Sequence, residues 1–411
     1  MRRATFSHHT GRTMIRRFFA LLIGAHLIDG VFGAYLPLAA ADAGAGPGAV
    51  GLISFAALLP WLAAPVVGVA VDRHGAVGAL TASTWARPAV LVPATILAWW
   101  NGADAGALGL LMVFAFCSAA VEVVTDVSSQ SAASRLVPPE RVADVYGGVW
   151  TVQTVCGSLA APGLAGLAVG IPVTDVLGIL AVGAAVTLLI RLPRTGRPEE
   201  SAVPVPATDA RGPAGFRSEL RVGLRTILAD NWLLRTMCTV GALNILAAGS
   251  SAVALVYYVQ DTGVDARTVG LVFSMVGVAA AVGGVAAPRV ARRIGFRGTV
   301  MVGAAGLLMT TAAPLAGTSM TVIALILVSA GLFVPCFGVS LISERQRRVD
   351  RSRIGRVNGT FQMVGVGVAP VGAVAAGFGA EGVGAVPVLL TGVVLTVVAL
   401  AVGRPWTLTT R

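Results

Sequence analysis

The sequence predicts an all-α membrane protein, with twelve transmembrane helices arranged in two six-helix bundles. The chain has 411 residues, of which 56% are hydrophobic and only 12% are charged, whereas a soluble domain carries about 25% charged residues. Apolar runs of about 20 residues, the length that crosses a bilayer, recur along the whole chain. The two halves of the chain also resemble each other, as shown below. These three observations exclude an ordinary soluble enzyme and a disordered chain.

The apolar runs give the predicted spans, and each is expected to be a helix, because backbone groups in lipid must be hydrogen-bonded within the segment. The alternation typical of a membrane β-barrel is missing from these runs. The twelve spans lie near 17–41, 48–71, 79–99, 106–128, 143–169, 176–192, 232–258, 268–288, 298–316, 321–343, 356–378 and 383–403.

The charges predict the orientation. All 30 basic residues are arginines, and the net charge is +11. With the N-terminus inside, only Arg267 falls in an outer loop and only Arg87 lies away from the ends of a span, while the outer loops carry acids such as Glu381. This positive-inside pattern favours a multi-pass protein of the cytoplasmic (inner) membrane with both termini cytoplasmic. An alternative interpretation of the first span, a cleaved export signal, is disfavoured by the length of its apolar run.

The same arginine clusters bear on partners. They lie between apolar runs rather than on a soluble basic face, so we expect a lipid bilayer and no nucleic acid as partner. The cysteines lie inside apolar runs, without a CxxC pair or a neighbouring His set, at Cys117, Cys156, Cys238 and Cys336. A disulfide framework and a metal site are therefore not expected. We also expect no cofactor, and a monomer.

The domain organisation follows from a proline-rich, mixed-charge segment between the sixth and seventh spans. It divides the chain into an N-terminal bundle (1–192), a cytoplasmic linker (193–231) and a C-terminal bundle (232–411). Near its end, apolar residues from Phe216 to Leu228 recur at helical spacing with arginines between them. This pattern is typical of a basic amphipathic helix on the inner membrane surface, and a plain connector helix fits it equally well.

The two halves repeat each other at offsets of about half the chain. Val50-Gly51-Leu52 opens the second span and Val269-Gly270-Leu271 opens the eighth. Pro162 in the fifth span corresponds to Pro370 in the eleventh. Parallel repeats of this kind occur in transporters, whose binding site lies near the midplane between the repeats.

The loop after the second span carries the most specific motif, Gly68-Val69-Ala70-Val71-Asp72-Arg73-His74-Gly75. It resembles the G-x-x-x-D-R-x-G-R-R signature of the major facilitator superfamily, although Ala76 and Val77 replace the two trailing basic residues. The resemblance implies the major facilitator fold and a conformational gate formed by Gly68, Asp72, Arg73 and Gly75. In the family this motif latches the two halves in the outward-facing state.

Further stretches resemble the enterobactin-exporter-like and macrolide-efflux-like branch, notably Glu219–Leu224 and Arg356-Val357-Asn358-Gly359. The fifth span, Gly157–Gly166, resembles a degenerate form of the antiporter motif in which Ala161 stands before Pro162. These resemblances imply export rather than import.

Ionisable groups inside spans are costly and are the leading candidates for function. His26 and Asp29 share a face of the first span, and an acid at that depth must be paired, hydrated or protonated for part of a cycle. Glu122 and Asp126 share a face of the fourth span, where two acids can compete for a proton. We expect proton coupling or substrate binding at these residues, with structural roles as the alternative for each.

Arg87 in the third span lies at about the depth of Glu122, so the sequence suggests an Arg87–Glu122 ion pair. Three polar residues, Gln153, Asn244 and Ser251, are candidates for lining a cavity, with helix–helix hydrogen bonding as the alternative. The sequence has no phosphate-binding loop or nucleophile triad, so neither an enzyme nor an ATP-driven pump is predicted. We therefore expect a proton-coupled exporter of a small amphipathic molecule; an importer of a small nutrient is the alternative.

Overall fold

The protein is described by a computed structural model, which covers residues 8–101, 107–136, 142–190, 213–317, 319–349, 354–365 and 367–407. All regular structure in these ranges is helical, as predicted. The α-helices are α1 (His8–Asp42), α2 (Pro47–Leu58), α3 (Ala64–His74), α4 (Ala76–Asn101), α5 (Ala107–Leu136), α6 (Val142–Val152), α7 (Ala161–Ala168), α8 (Val173–Thr187), α9 (Pro213–Ala229), α10 (Asn231–Val256), α11 (Ala266–Ala312), α12 (Met320–Arg348), α13 (Ile354–Gly365), α14 (Ala369–Val383) and α15 (Ala385–Gly403).

Several predicted spans are built from more than one of these helices. A 3₁₀ turn at Leu59–Ala63 joins α2 to α3, and a π-helix at Gln153–Ala160 joins α6 to α7. A second π-helix, Tyr257–Asp261, follows α10. Conversely, α11 contains both the eighth and ninth predicted spans, and its backbone leaves helical geometry at Gly295 (φ 71°, ψ 178°). The helices thus assemble into the twelve predicted spans.

Within the described ranges, eight stretches are long and apolar enough to cross a membrane. One of them, Ala266–Leu315, has 50 residues and a contour of about 75 Å, more than twice a bilayer core, which is consistent with two spans. The sixth span is shorter than predicted: its helix ends at Thr187 rather than at 192. The domain limits remain predictions, because 191–212 lie outside the described residues.

Consecutive spans place charged residues at two opposite ends of the molecule. We call them the arginine end, where Arg16, Arg17, Arg235, Arg292, Arg348 and Arg404 lie, and the acidic end, where Asp42, Asp175, Asp261, Asp265 and Glu381 lie. Four buried apolar clusters fill the structure. At the arginine end each half has its own cluster, around Phe18 in the N-terminal half and around Trp232 in the C-terminal half. At the acidic end one cluster combines Leu38 and Val50 with Val253 and Tyr258, and so joins both halves.

Helix α9 is the amphipathic helix expected before the seventh span. Ile227 is fully buried in the apolar cluster of the C-terminal half, whereas Arg221 and Arg225 are exposed. The Asp230 carboxylate then caps α10, accepting hydrogen bonds from the backbone N–H groups of Trp232 (2.8 Å) and Leu233 (3.1 Å). The helix therefore leads directly into α10, and Leu224 and Leu228 stay exposed beside the arginines; its location on the inner membrane surface stays a prediction.

Candidate functional site

A buried ion pair between α1 and α4 lies at the centre of the N-terminal half. Asp29 is 4% exposed and Arg87 is 2% exposed. The guanidinium grips the carboxylate through two nitrogens, with Nε donating to Oδ1 (2.9 Å) and Nη2 donating to Oδ2 (2.6 Å). Such a bidentate contact compensates the permanent charge of an arginine that lies inside a membrane span.

Hydroxyl groups complete the surroundings of this pair. Arg87 Nη2 also donates to Thr125 Oγ1 (2.6 Å), and the Thr125 hydroxyl lies 3.0 Å from Ser83 Oγ. All these groups are buried, so the network connects α1, α4 and α5 without access to bulk water. Within the described residues, Arg87 Nη1 is buried without a hydrogen-bond partner.

The ion pair suggested by the sequence, Arg87 with Glu122, is wrong. The edge of the guanidinium that carries Nε and Nη2 faces Asp29 on α1. On α5 the guanidinium donates to Thr125, three residues after Glu122, and not to Glu122 itself. Counting residues along two helices gave Glu122 the right depth but could not tell which of two acids at similar depth lies beside the guanidinium.

A second polar group surrounds Asp126 on α5. The amide of Gln153 donates to Asp126 Oδ1 (3.1 Å), and His26 Nε2 lies 3.6 Å from the same oxygen. Gln153 is the first residue of the π-helix, a deviation that is frequent at functional sites. The structure thus brings His26, Asp126 and Gln153 together from three spans. The sequence placed His26 with Asp29 on one helix face, but their side chains have different partners.

Glu122 differs from the other acids. Like Asp126 it is half-buried, but in the part of the chain that the structure describes it forms no hydrogen bond and no ion pair. It lies one helical turn before Asp126 on the same face of α5. Among the described residues, this part of the N-terminal half therefore contains three carboxyl groups and one histidine, with a single permanent cation, Arg87.

The other sequence-predicted residues lie elsewhere. Asn244 donates to the carbonyl of Val240 in its own helix (2.9 Å), and Ser251 is exposed on α10. Gly75 separates α3 from α4 with a positive φ of 89°, which a glycine adopts without strain. Gly68 has room for a side chain, since the nearest atom to an added Cβ is a Val127 methyl at 3.9 Å. The side chains of Asp72 and Arg73 lie outside the described residues.

The acidic end holds contacts between the two halves that the sequence did not reveal. The Gln260 amide donates to the carbonyls of Ala41 (2.8 Å) and Ala45 (2.9 Å). The Glu381 carboxylate accepts from the backbone N–H of Gly48 (3.1 Å) in the first turn of α2. Sequence inspection had noted Glu381 only as an outer-loop acid, and nothing in the sequence distinguished Gln260.

Closely packed backbones continue this interface toward the midplane. A Cβ at Gly270 of α11 would lie 2.6 Å from Gly166 Cα of α7, and a Cβ at Gly51 of α2 would lie 2.5 Å from the Ala373 carbonyl oxygen of α14. Ser274 Oγ donates to the Leu159 carbonyl oxygen (2.5 Å) across the same interface as Gly270. The two halves are therefore in close contact at the acidic end. Gly166 belongs to the fifth-span stretch that resembles the antiporter motif.

Two helical halves that meet at one membrane end, with charged residues buried in a span, define a polytopic membrane transporter. Residues 18–373 match the family model of the Major Facilitator Superfamily, and the chain belongs to that superfamily. It is a secondary transporter, not an enzyme. No curated protein matches the sequence.

Solved structures show the same fold at low sequence identity. The nucleoside transporter NupG matches with a TM-score of 0.71 at 12% identity, over 97% of this chain and 100% of its own. A bacterial homologue of the iron transporter ferroportin matches in an inward-facing state with a TM-score of 0.71 at 14% identity, over 96% of this chain and 98% of its own. A structure of a bacterial ferroportin homologue in an outward-facing state matches with a TM-score of 0.62 at 15% identity, over 96% of this chain and 99% of its own.

Proposed function

We propose that the protein exports a small amphipathic molecule in exchange for protons, by alternating access of one central cavity. It would act as a monomer in the cytoplasmic membrane, with the arginine end in the cytoplasm. The observation that carries the proposal is the charge balance of the buried cluster: Asp29, Glu122 and Asp126 share one permanent cation. Because uncompensated charge is costly at this depth, the cluster favours binding at least one proton during part of the cycle.

Among the three acids, Glu122 is the best candidate for the proton carrier. Asp29 has a bidentate arginine partner, so its charge is compensated in place. Asp126 has the Gln153 amide and the nearby His26. Glu122 has no such partner among the described residues, so its charge is the least compensated of the three. Of the candidates that the sequence offered together, Glu122 therefore takes the leading role, and Asp29 has a structural one.

The closed acidic end supports an inward-facing state. The halves share one apolar cluster there, whereas at the arginine end each half has its own. The higher TM-score to the inward-facing than to the outward-facing ferroportin homologue agrees with this assignment. The alternation would then open the acidic end by separating α2 from α14 and α7 from α11.

Two features support export rather than import. They are the packing of the fifth span and the resemblance of the sequence to the enterobactin-exporter-like and macrolide-efflux-like branch. The segment containing Pro162 and Gly166, which resembles the antiporter motif, packs closely against α11 at the closed acidic end. The proteins of similar structure include a nucleoside transporter and a homologue of an iron transporter, so they do not favour one substrate class. Import of a small nutrient by the same fold remains the alternative.

Transport in everted membrane vesicles tests the proposal. With an acidic interior, wild-type vesicles should accumulate an amphipathic probe such as ethidium, and Glu122→Gln should abolish this accumulation. Glutamine imitates the protonated acid. The variant should therefore still exchange the probe down its concentration gradient across the vesicle membrane when the pH is equal on both sides.

The matched control is Asp175→Asn, which neutralises an exposed acid at the acidic end and should leave accumulation intact. Full gradient-driven accumulation by Glu122→Gln would exclude Glu122 as the proton carrier. Accumulation only in right-side-out vesicles with an acidic exterior would show import.

A further inference from the structure

We propose that a groove between α10 and α15 at the arginine end is a specific site for an anionic phospholipid. The groove has a volume of about 900 Å³ and lies between two helices of the C-terminal half. It is distinct from the buried charged cluster of the N-terminal half, and the proposal does not depend on what the protein transports.

The walls of the groove are suited to acyl chains. They are formed by side chains such as Leu246, Leu395 and Val398, with Ala242 and Ala401 leaving space between them. Several of these apolar residues are exposed, and α15 as a whole presents many exposed apolar side chains, including Val394, Val397 and Val402. A helix with this surface faces lipid, so the groove opens toward the hydrocarbon of the membrane.

The rim of the groove is suited to a phosphate. Arg235 near the start of α10 and Arg404 at the end of α15 both line it, and both are exposed. Neither forms an ion pair with the part of the chain that the structure describes. Two uncompensated guanidinium groups above an apolar groove match a negatively charged headgroup above its acyl chains.

The backbone at Arg404 adds an independent observation. Arg404 is the one non-glycine residue with positive φ (41°) in the described structure, and it occupies the left-handed position that ends α15, where glycine is the usual residue. Non-glycine residues in strained backbone conformations cluster at active sites and at sites that clamp a ligand. Arg404 Nε also donates to the carbonyl oxygen of Ala401 (3.3 Å), which keeps the side chain beside the end of α15 at the rim of the groove.

Native mass spectrometry of the full-length protein tests the site. In micelles containing equal amounts of phosphatidylglycerol and phosphatidylcholine, the wild type should retain phosphatidylglycerol preferentially. Arg235→Gln with Arg404→Gln should weaken that preference about 25-fold, about fivefold for each arginine near the membrane surface. The conservative pair Arg235→Lys with Arg404→Lys should keep most of it.

The control variant, Arg16→Gln with Arg17→Gln, removes two exposed arginines from the same membrane end of the N-terminal half and should leave the preference unchanged. A second measurement uses Cys238, which is exposed and lines the groove, whereas the other three cysteines are less accessible. Phosphatidylglycerol should slow alkylation of Cys238 by a membrane-permeant maleimide, and phosphatidylcholine should not. Equal retention of both lipids, or an equal loss in the control pair, would overturn the proposal.

Discussion

The Asp29–Arg87 pair shows how a permanent charge can be accommodated inside a membrane span. Two charges are buried together, with two hydrogen bonds shorter than 3 Å between α1 and α4. Forming such a pair adds little net stability, because both ions lose their hydration. Removing one partner is much more damaging, since the other charge is left buried and unpaired.

We therefore expect Asp29→Asn to destabilise the folded protein by about 3–5 kcal/mol, the usual cost of breaking a buried pair. Thermal unfolding in detergent would show this as a lower melting temperature. The double variant Asp29→Asn with Arg87→Gln should recover part of the loss, because no unpaired charge remains. Equal losses in the single and the double variant would show that the pair is not coupled.

At the scale of helices, glycines determine how closely the two halves approach. Gly270 and Gly284 both lie in α11, but only Gly270 faces another helix: a Cβ there would come within 2.6 Å of Gly166 Cα, whereas a Cβ at Gly284 would meet nothing within 4 Å. The contact at Gly270 belongs to the closed acidic end.

Gly270→Ala should separate α7 from α11 and shift the protein toward the outward-facing state. Overpacking of this kind costs about 1–3 kcal/mol, which corresponds to a population shift of about 5- to 150-fold. A cysteine placed in the acidic-end interface would react faster with an impermeant maleimide in this variant. Gly284→Ala is the control and should react at the wild-type rate; equal rates in both variants would exclude the glycine contact as the closure.

Glu381 stabilises the same closure through electrostatics. Its carboxylate lies at the N-terminus of α2, where unpaired backbone N–H groups favour a negative charge. Glu381→Gln keeps an acceptor but removes the charge, so we expect a loss of about 0.3–1 kcal/mol, a two- to fivefold shift toward opening. The same maleimide assay measures it, and a strong dependence on salt would support the charge effect. No change in the reaction rate would show that the hydrogen bond alone matters.

The sequence predicted the helices well but not the contacts between them. Hydropathy and the distribution of arginine predicted the helices and the amphipathic α9, because both depend on local composition. Pairings between spans were not predictable: nothing in the sequence indicated that Arg87 faces Asp29 rather than Glu122, or that Gln260 reaches Ala41. The π-helix beginning at Gln153 was also missed, since its residues fit an ordinary helix equally well. Contacts of this kind depend on the rotation of each helix about its axis, which a hydropathy pattern with no polar face leaves undefined.

The whole molecule is expected to alternate between two states that exchange which end is closed. An antiporter that carries protons inward must load them in the outward-facing state, so protonation should favour the inward-facing state, with the acidic end closed. The charge of Glu122 would then be the quantity that the pH gradient acts on. Glu122→Gln should therefore show, at every pH, the balance between the two states that the wild type has at low pH.

Distances between spin labels at both ends test this central claim without any knowledge of the substrate. In a cysteine-free background, one pair would replace Asp175 and Asp265 at the acidic end, and a second pair would replace Arg17 and Arg293 at the arginine end; all four residues are exposed. On acidification, the acidic-end distance should shorten and the arginine-end distance should lengthen, and Glu122→Gln should show the acidified distances at every pH. Three results would contradict proton-coupled alternating access through Glu122: distances that do not change with pH, distances that change in the same direction at both ends, or a pH response in Glu122→Gln equal to that of the wild type.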